Sequence, residues 1–269
     1  MPLTIALLDA SLGTDHTRRN FLRNVHNNPD LDARLRVFDV NEGTLPASLS
    51  PNNSPFDAAI ITGSQASVYD DRPWIAPLKE RVRQGLDDGL PMLGVCWGHQ
   101  LLAEVLGGRV AGGDYELGYV SVALASPSDA PDASAFGGDP LFDGIPSPVT
   151  VFATHSDHVV EVPPGATLLA HNDASVQAFR KGRAVGVQFH PEYDRQTAET
   201  MIHGKDLPAE RVESALATCT DGNVQAAETA KQVFANFCAE VKRLKMDPAD
   251  DEASDAADDR ADARASERP

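Results

Sequence analysis

The sequence predicts a single α/β domain: a mostly parallel central sheet flanked by helices, with a smaller region of antiparallel strands and a cysteine on a strand-turn-helix elbow. Three observations predict it. Through the first half, apolar runs alternate with helix-compatible stretches, the arrangement that gives a parallel sheet with crossover helices. The run Met92 to Val95 leads straight into Cys96 and then into apolar residues at helical spacing. Beyond Gly118, short apolar strands follow one another without helices between them, an antiparallel pattern.

Taken in order, residues 3–8 form a continuous apolar run, as expected of a strand buried on both faces. Residues 17–26 are polar and helix-compatible, residues 34–40 and 57–62 are strands, and residues 41–55 are loop. Pro73 suits the first turn of a helix running to about Asp88, where Trp74, Leu78, Val82 and Leu86 recur near helical spacing and Gly89 ends it. The helix after Cys96 carries Leu101, Leu102, Val105 and Leu106 and stops at Gly107 and Gly108. Strands are expected near residues 119–125, 150–153, 166–171, 176–180 and 184–189, with a Ser/Pro/Asp-rich loop at 126–140. Residues 224–244 read as one final helix with Ala227, Val233, Phe234, Phe237 and Val241 on a shared face.

The chain of 269 residues carries 40 acidic against 23 basic side chains, and 17 of the basic ones are arginine. Nucleic acid is excluded as a partner, because phosphate binding needs a basic face. Residues 247–269 hold nine acids, three arginines and no large apolar residue, so they are expected to be a disordered acidic tail beyond a domain of residues 1–246. The domain itself keeps 31 acids against 20 bases, which points to adaptation to a salt-rich cytoplasm. Equal stability in low and molar salt would exclude that reading. No apolar run is long enough to cross a bilayer, and the N-terminus lacks the positive stretch of a signal peptide. Cys96, Cys219 and Cys238 form no close pair, which argues against a disulfide framework. A cytoplasmic location is expected.

Chemistry is carried first by Gly94-Val95-Cys96-Trp97-Gly98-His99-Gln100. A nucleophile at a sharp strand-to-helix turn needs a strained backbone, and small residues two before and two after it prevent collisions. The turn projects the sulfur, and the positive end of the following helix favours thiolate. Alone, the string is equally compatible with a small core cysteine. The second string, Gly186-Val187-Gln188-Phe189-His190-Pro191-Glu192, ends an apolar strand in a histidine and an acid. Side chains alternate along a strand, so His190 and Glu192 point the same way. The carboxylate can then orient the imidazole and stabilise its charged form.

With both strings present, residues 3–240 resemble the class I, triad-type glutamine amidotransferases. That resemblance implies Cys96 as nucleophile, His190 as general base and then acid, and Glu192 as the orienting carboxylate. Within the family the chain is most similar to stand-alone enzymes related to the amidotransferase part of GMP synthase. Ile61-Thr62-Gly63-Ser64-Gln65 stands where the family carries its oxyanion loop, with Ser64 and Gln65 replacing the usual second glycine and proline. The backbone N–H groups of Ser64 and Trp97 are the implied oxyanion hole. Gly63, Gln100, Gly118 and Tyr119 are the implied glutamine-binding residues.

Thr154-His155-Ser156-Asp157-His158-Val159 resembles a Ser-His-Gly-Asp segment of GMP synthases, which implies that His155 and Asp157 lie behind the catalytic residues or face a partner domain. Two histidines and a carboxylate also suggest zinc. Strand alternation puts His158 on the face opposite His155, and no other cluster completes a site, so no metal is expected. No organic cofactor is implied either. The chain has no ATP-binding loop of the G-x-x-x-x-G-K-[ST] type, so a separate ammonia-accepting synthetase subunit is one option. The alternative with the same chemistry is a γ-glutamyl peptidase acting on γ-glutamyl conjugates. A binding protein with a silent site is the option from another class, and the intact triad argues against it.

Overall fold

The computed structural model describes residues 1–13, 15–125 and 138–246; the acidic segment 247–269 and most of the 126–140 loop lie outside them. Strands β1 (Leu3–Asp9), β3 (Ala58–Ile61), β4 (Met92–Val95) and β9 (Ala184–Val187) are buried along almost every residue, as a sheet covered on both faces requires. They pair in parallel, with β2 (Ala33–Asp39) on the outer side of β1. In β2, exposed and buried residues alternate over the first four positions, as at an edge. The sheet then continues antiparallel through β8 (Val176–Lys181), β7 (Thr167–His171), β5 (Arg109–Leu124) and β6 (Val149–Glu161). The full order is β2-β1-β3-β4-β9-β8-β7-β5-β6.

Alternation along β1 feeds two cores. Leu3, Ile5 and Leu7 pack with Phe21, Val233, Phe234 and Phe237, from helices α1 (His16–Phe21) and α7 (Gln232–Met246). Ala6 and Leu8 pack with Leu78, Val82, Leu101 and Leu102, from α2 (Ile75–Asp87) and α3 (Trp97–Val105). A third cluster of Tyr119, Phe152, Tyr193, Ala198, Ile202 and Ala215 joins β5 and β6 to α4 (Arg195–His203) and α5 (Ala209–Ala217).

Helices α4 and α5 were not foreseen, because only Thr197, Ala198 and Ile202 in α4 and Ala215 in α5 are buried and no apolar period stands out. The readable signal was Asp194, whose Oδ1 accepts from the Thr197 N–H at 2.8 Å as an N-cap. The single helix expected over 224–244 is broken into α6 (Asp221–Ala227), a 3-10 turn (Glu228–Lys231) and α7. The break has a packing cause: Ala227 serves the third cluster, while residues from Ala230 onward serve the first. The helix expected over 17–26 is α-helical only to Phe21 and continues as a π turn over Leu22–His26. Strands β5 and β6 are longer than expected, because their pairing survives a register shift between Gly112 and Glu116 that disguises the pattern.

Candidate active site

The parallel strands end on one side of the sheet, where crevices in open α/β folds collect functional residues. From β3 the chain passes to Gly63, from β4 to Cys96, and from β9 to His190. Cys96 has φ 53° and ψ −104°, and with Asp32 it makes up the non-glycine residues of positive φ among those described. Such a backbone costs about 1–3 kcal/mol unless its surroundings hold it. Here the Cys96 N–H donates to Val187 O at 2.8 Å, and the Gln100 N–H to Cys96 O at 3.1 Å.

The flanking glycines are needed for contact. A Cβ at Gly94 would lie 2.4 Å from Gly98 C and O, and one at Gly98 would lie 2.3 Å from Ile61 O. Both obstacles are backbone. Gly98→Ala is therefore expected to destabilise the chain by about 1–3 kcal/mol or more and to misplace the elbow. Urea unfolding and the rate of Cys96 alkylation would measure it; a wild-type midpoint and rate would contradict this account.

Facing the elbow, His190 Nδ1 meets Glu192 Oε1 at 2.7 Å. Both residues are buried, as is Cys96. Cys96 lies close enough to the ring for its charge to act on the imidazole. Gly63 backs this pair closely, since a Cβ there would lie 2.9 Å from His190 Cε1 and 3.6 Å from Cys96 Cβ. Burial alone would lower the His190 pKa; the charges of Glu192 and then Cys96, with hydrogen bonds to both, outweigh it and carry the value up to about 10.

Sequence reasoning missed three supports. The Tyr193 ring stacks on His190 at 4.3 Å and 25°, the position best suited to hold the imidazole plane. Arg23 Nη2 and Asn24 Nδ2 each donate to Glu192 O at 2.9 Å, and Arg23 also pairs with Asp194. Arg23 and Asn24 sit on the π turn, a conformation often found where side chains must be re-aimed at a site. An aromatic directly after His-Pro-Glu was the one sequence signal available.

The remaining expected residues are spread around this centre. Trp97 opens α3, so its N–H has no carbonyl partner within the helix. Ser64 follows Gly63, and its Oγ accepts from the Ala66 N–H at 3.2 Å. Gln100 is buried, and its Nε2 donates to Asp157 O at 2.8 Å and to Gln188 Oε1 at 3.2 Å, which ties α3 to β6. Gly118 has φ +111°, and Thr218 Oγ1 would lie 2.6 Å from a Cβ there. The Tyr119 N–H already donates to that Thr218 Oγ1 at 2.8 Å, so offering it to a substrate requires that bond to break.

His155 is buried and leaves no surface to offer a partner, whereas Asp157 Oδ1 accepts from exposed Tyr69 at 2.8 Å. The expectation that His158 faces away from His155 is corrected. The two rings meet edge to face at 4.9 Å, at the place where the β5–β6 register shifts between Gly112, opposite Asp157, and Glu116, opposite His155. Glu116 joins them on the same side. His99, beside the elbow, is fully buried against Phe179, and burial pushes it down to about 3, so it is neutral packing.

This geometry is matched by similarity to known proteins. The family model of class I glutamine amidotransferases matches residues 19–207. GMP synthase of Pyrobaculum aerophilum is 36% identical over 54% of this chain and 26% of its own length. Gamma-glutamyl peptidase 5 of Arabidopsis thaliana is 30% identical over 60% of this chain and 62% of its own. A glutamine-hydrolyzing GMP synthase subunit from Halobacterium salinarum is 43% identical over 58% of this chain and 75% of its own. The chain thus spans about a quarter of the first relative and less than two thirds of the second. In fold, a glutamine amidotransferase of Thermotoga maritima superposes with a TM-score of 0.66 over 90% of this chain and 98% of that one, at 19% identity. A strand-turn-helix cysteine facing a histidine-acid pair, in a chain whose larger part fits that family model, leads to one assignment: the chain belongs to the class I glutamine amidotransferases.

Proposed function

We propose that the chain hydrolyses the side-chain amide of glutamine through a γ-glutamyl thioester on Cys96. The observation that carries this is the buried line from Cys96 through His190 to Glu192, with the His190 pKa raised so that the ring can hold a proton beside the sulfur. The Cys96 thiolate attacks the amide carbon, and the N–H groups of Ser64 and Trp97 hold the resulting oxyanion. Each such donor is worth on the order of a hundredfold or more in rate. As the tetrahedral intermediate collapses, the C–N bond breaks and His190 protonates the departing ammonia. Water, deprotonated by the same ring, then cleaves the thioester to glutamate. Gly63 and Gln100 shape the pocket, Gly63 by admitting no side chain against His190 and Gln100 by fixing α3 to β6.

The similarity to a GMP synthase that is divided into subunits supports a separate synthetase chain as the acceptor of ammonia. The similarity to a γ-glutamyl peptidase supports a second reading, in which the same nucleophile cleaves γ-glutamyl conjugates. Both readings require a γ-glutamyl adduct on the Cys96 peptide after rapid quenching, found by mass spectrometry. Glutamine is expected to form it with the higher kcat/KM. A higher value for γ-glutamyl dipeptides would favour the peptidase, and no adduct with either would sink the mechanism.

A further inference from the structure

Behind the elbow helix, three ligating side chains converge without the partners they need. His155 and His158 come from β6 and Glu116 from β5, and their donor atoms lie within 4.8 Å of one another. Backbone carbonyls fix both tautomers. His155 Nδ1 contacts Asp157 O at 3.2 Å and His158 Nε2 contacts Asp114 O at 2.9 Å. A carbonyl only accepts, so each of those nitrogens carries the proton. His155 Nε2 then faces Glu116 Oε2, and His158 Nδ1 is left with a lone pair that has no hydrogen-bond partner among the described residues. Both residues are more than nine-tenths buried, at 5% and 7% exposure.

What faces them is negative. Glu116 Oε2 lies 3.1 Å from His155 Nε2, and the carboxylate is held in place by Asn172 Nδ2 at 2.6 Å and Gln177 Nε2 at 2.9 Å. Two imidazole lone pairs and a carboxylate oxygen in one buried space repel one another unless a cation sits between them.

We propose that Glu116 Oε2, His155 Nε2 and His158 Nδ1 bind a divalent ion of the zinc class. The donor set of two imidazoles and a carboxylate suits a borderline ion such as zinc, with a fourth position left for water. Around one ion with bonds of about 2.0–2.1 Å, neighbouring ligands stand roughly 3.3 Å apart, a spacing that His155 and Glu116 already have. Small ring rotations bring His158 in. Each histidine gives its second nitrogen to a backbone carbonyl, the outer contact that orients metal-bound imidazoles. The ion ties β5 to β6. It also steadies Asp157 O, which accepts from both His155 and Gln100, one helical turn beyond Cys96.

The test uses the full chain carrying Cys96→Ser, so that the elbow thiol cannot compete for metal. After chelator treatment and dialysis, cobalt(II) is titrated in and followed by visible absorption, with zinc as competitor. One equivalent is expected to bind with no thiolate charge-transfer band. Zinc is expected to raise the unfolding midpoint by roughly 5–10 °C at a hundredfold excess over its dissociation constant. Glu116→Gln and His158→Gln should weaken binding on the order of a hundredfold. A measurement free of folding effects is the imidazole nitrogen spectrum of the unsubstituted site, in which zinc should shift His155 Nε2 and His158 Nδ1 and leave His99 unmoved. No saturable binding, unchanged affinity in folded Glu116 and His158 variants, or unmoved nitrogen signals of those two histidines would overturn the proposal.

Discussion

Cys96→Ala is expected to lower glutamine hydrolysis by about 10⁴–10⁶-fold while leaving the unfolding midpoint within a few degrees of wild type. The size follows from removing a covalent nucleophile, which in hydrolases costs nearly all the catalysis that acts through it. The small stability change follows from geometry. Alanine keeps the Cβ, so the backbone at φ 53° meets no new strain, and only one buried sulfur is lost. No other thiol is placed to substitute. Burial raises the Cys238 pKa to about 11, and burial also raises that of Cys219, which lies by α5 in the third cluster. Coupling glutamate release to glutamate dehydrogenase measures the effect, and residual activity above a tenth of wild type would place the nucleophile elsewhere.

The elbow at Cys96 and the His190–Glu192 contact were legible because each needs particular residue types at a particular spacing. Gly94 and Gly98 touch backbone at 2.4 Å or less where a Cβ would go, so the glycine spacing was a direct record of the elbow. The parallel strands were legible for a similar reason, since β1, β3, β4 and β9 are buried on both faces and read as unbroken apolar runs. What was hidden depends on contacts distant in sequence. Arg23 and Asn24 reach Glu192 across more than 160 positions, and nothing in a polar helix announces that. Glu116 meets His155 only because the pairing shifts between Gly112 and Glu116; continued without the shift, the register would set Asp114 opposite His155. Helix α4 is held by Ala198 and Ile202 against Phe152 and Tyr193, a small core of its own that a periodicity search over a nine-residue segment cannot distinguish from loop.

Glu192→Gln is expected to cost about 10³–10⁴-fold in kcat/KM and to change its pH dependence in a defined direction. In the folded chain, burial disfavours the charged His190 ring, and Glu192 is the largest of the causes opposing it. Without that charge the ring gives up its proton at lower pH. In the proposed mechanism His190 in its protonated form delivers a proton to departing ammonia, so the alkaline limb of the kcat/KM profile should move to lower pH in the variant. Stability carries the same sign. A histidine whose folded pKa of about 10 exceeds its ordinary 6.5 stabilises the fold fully below pH 6.5, and that contribution is lost as pH rises through 10. Wild-type unfolding free energy should therefore decline between pH 7 and 10, and the decline should be smaller in Glu192→Gln. Urea titrations at pH 7, 8.5 and 10 give the slopes. Parallel slopes in the two proteins, or an alkaline limb that stays in place, would mean that Glu192 positions the ring without setting its charge, a role that its 2.7 Å contact would still allow. The two roles part at one further point: an asparagine or glutamine can hold an imidazole, yet it favours the tautomer that turns a hydrogen, and no lone pair, towards Cys96. A variant that lost rate with an unmoved pH profile would thus indicate a wrong tautomer, and one that lost rate with a shifted profile would indicate a missing charge.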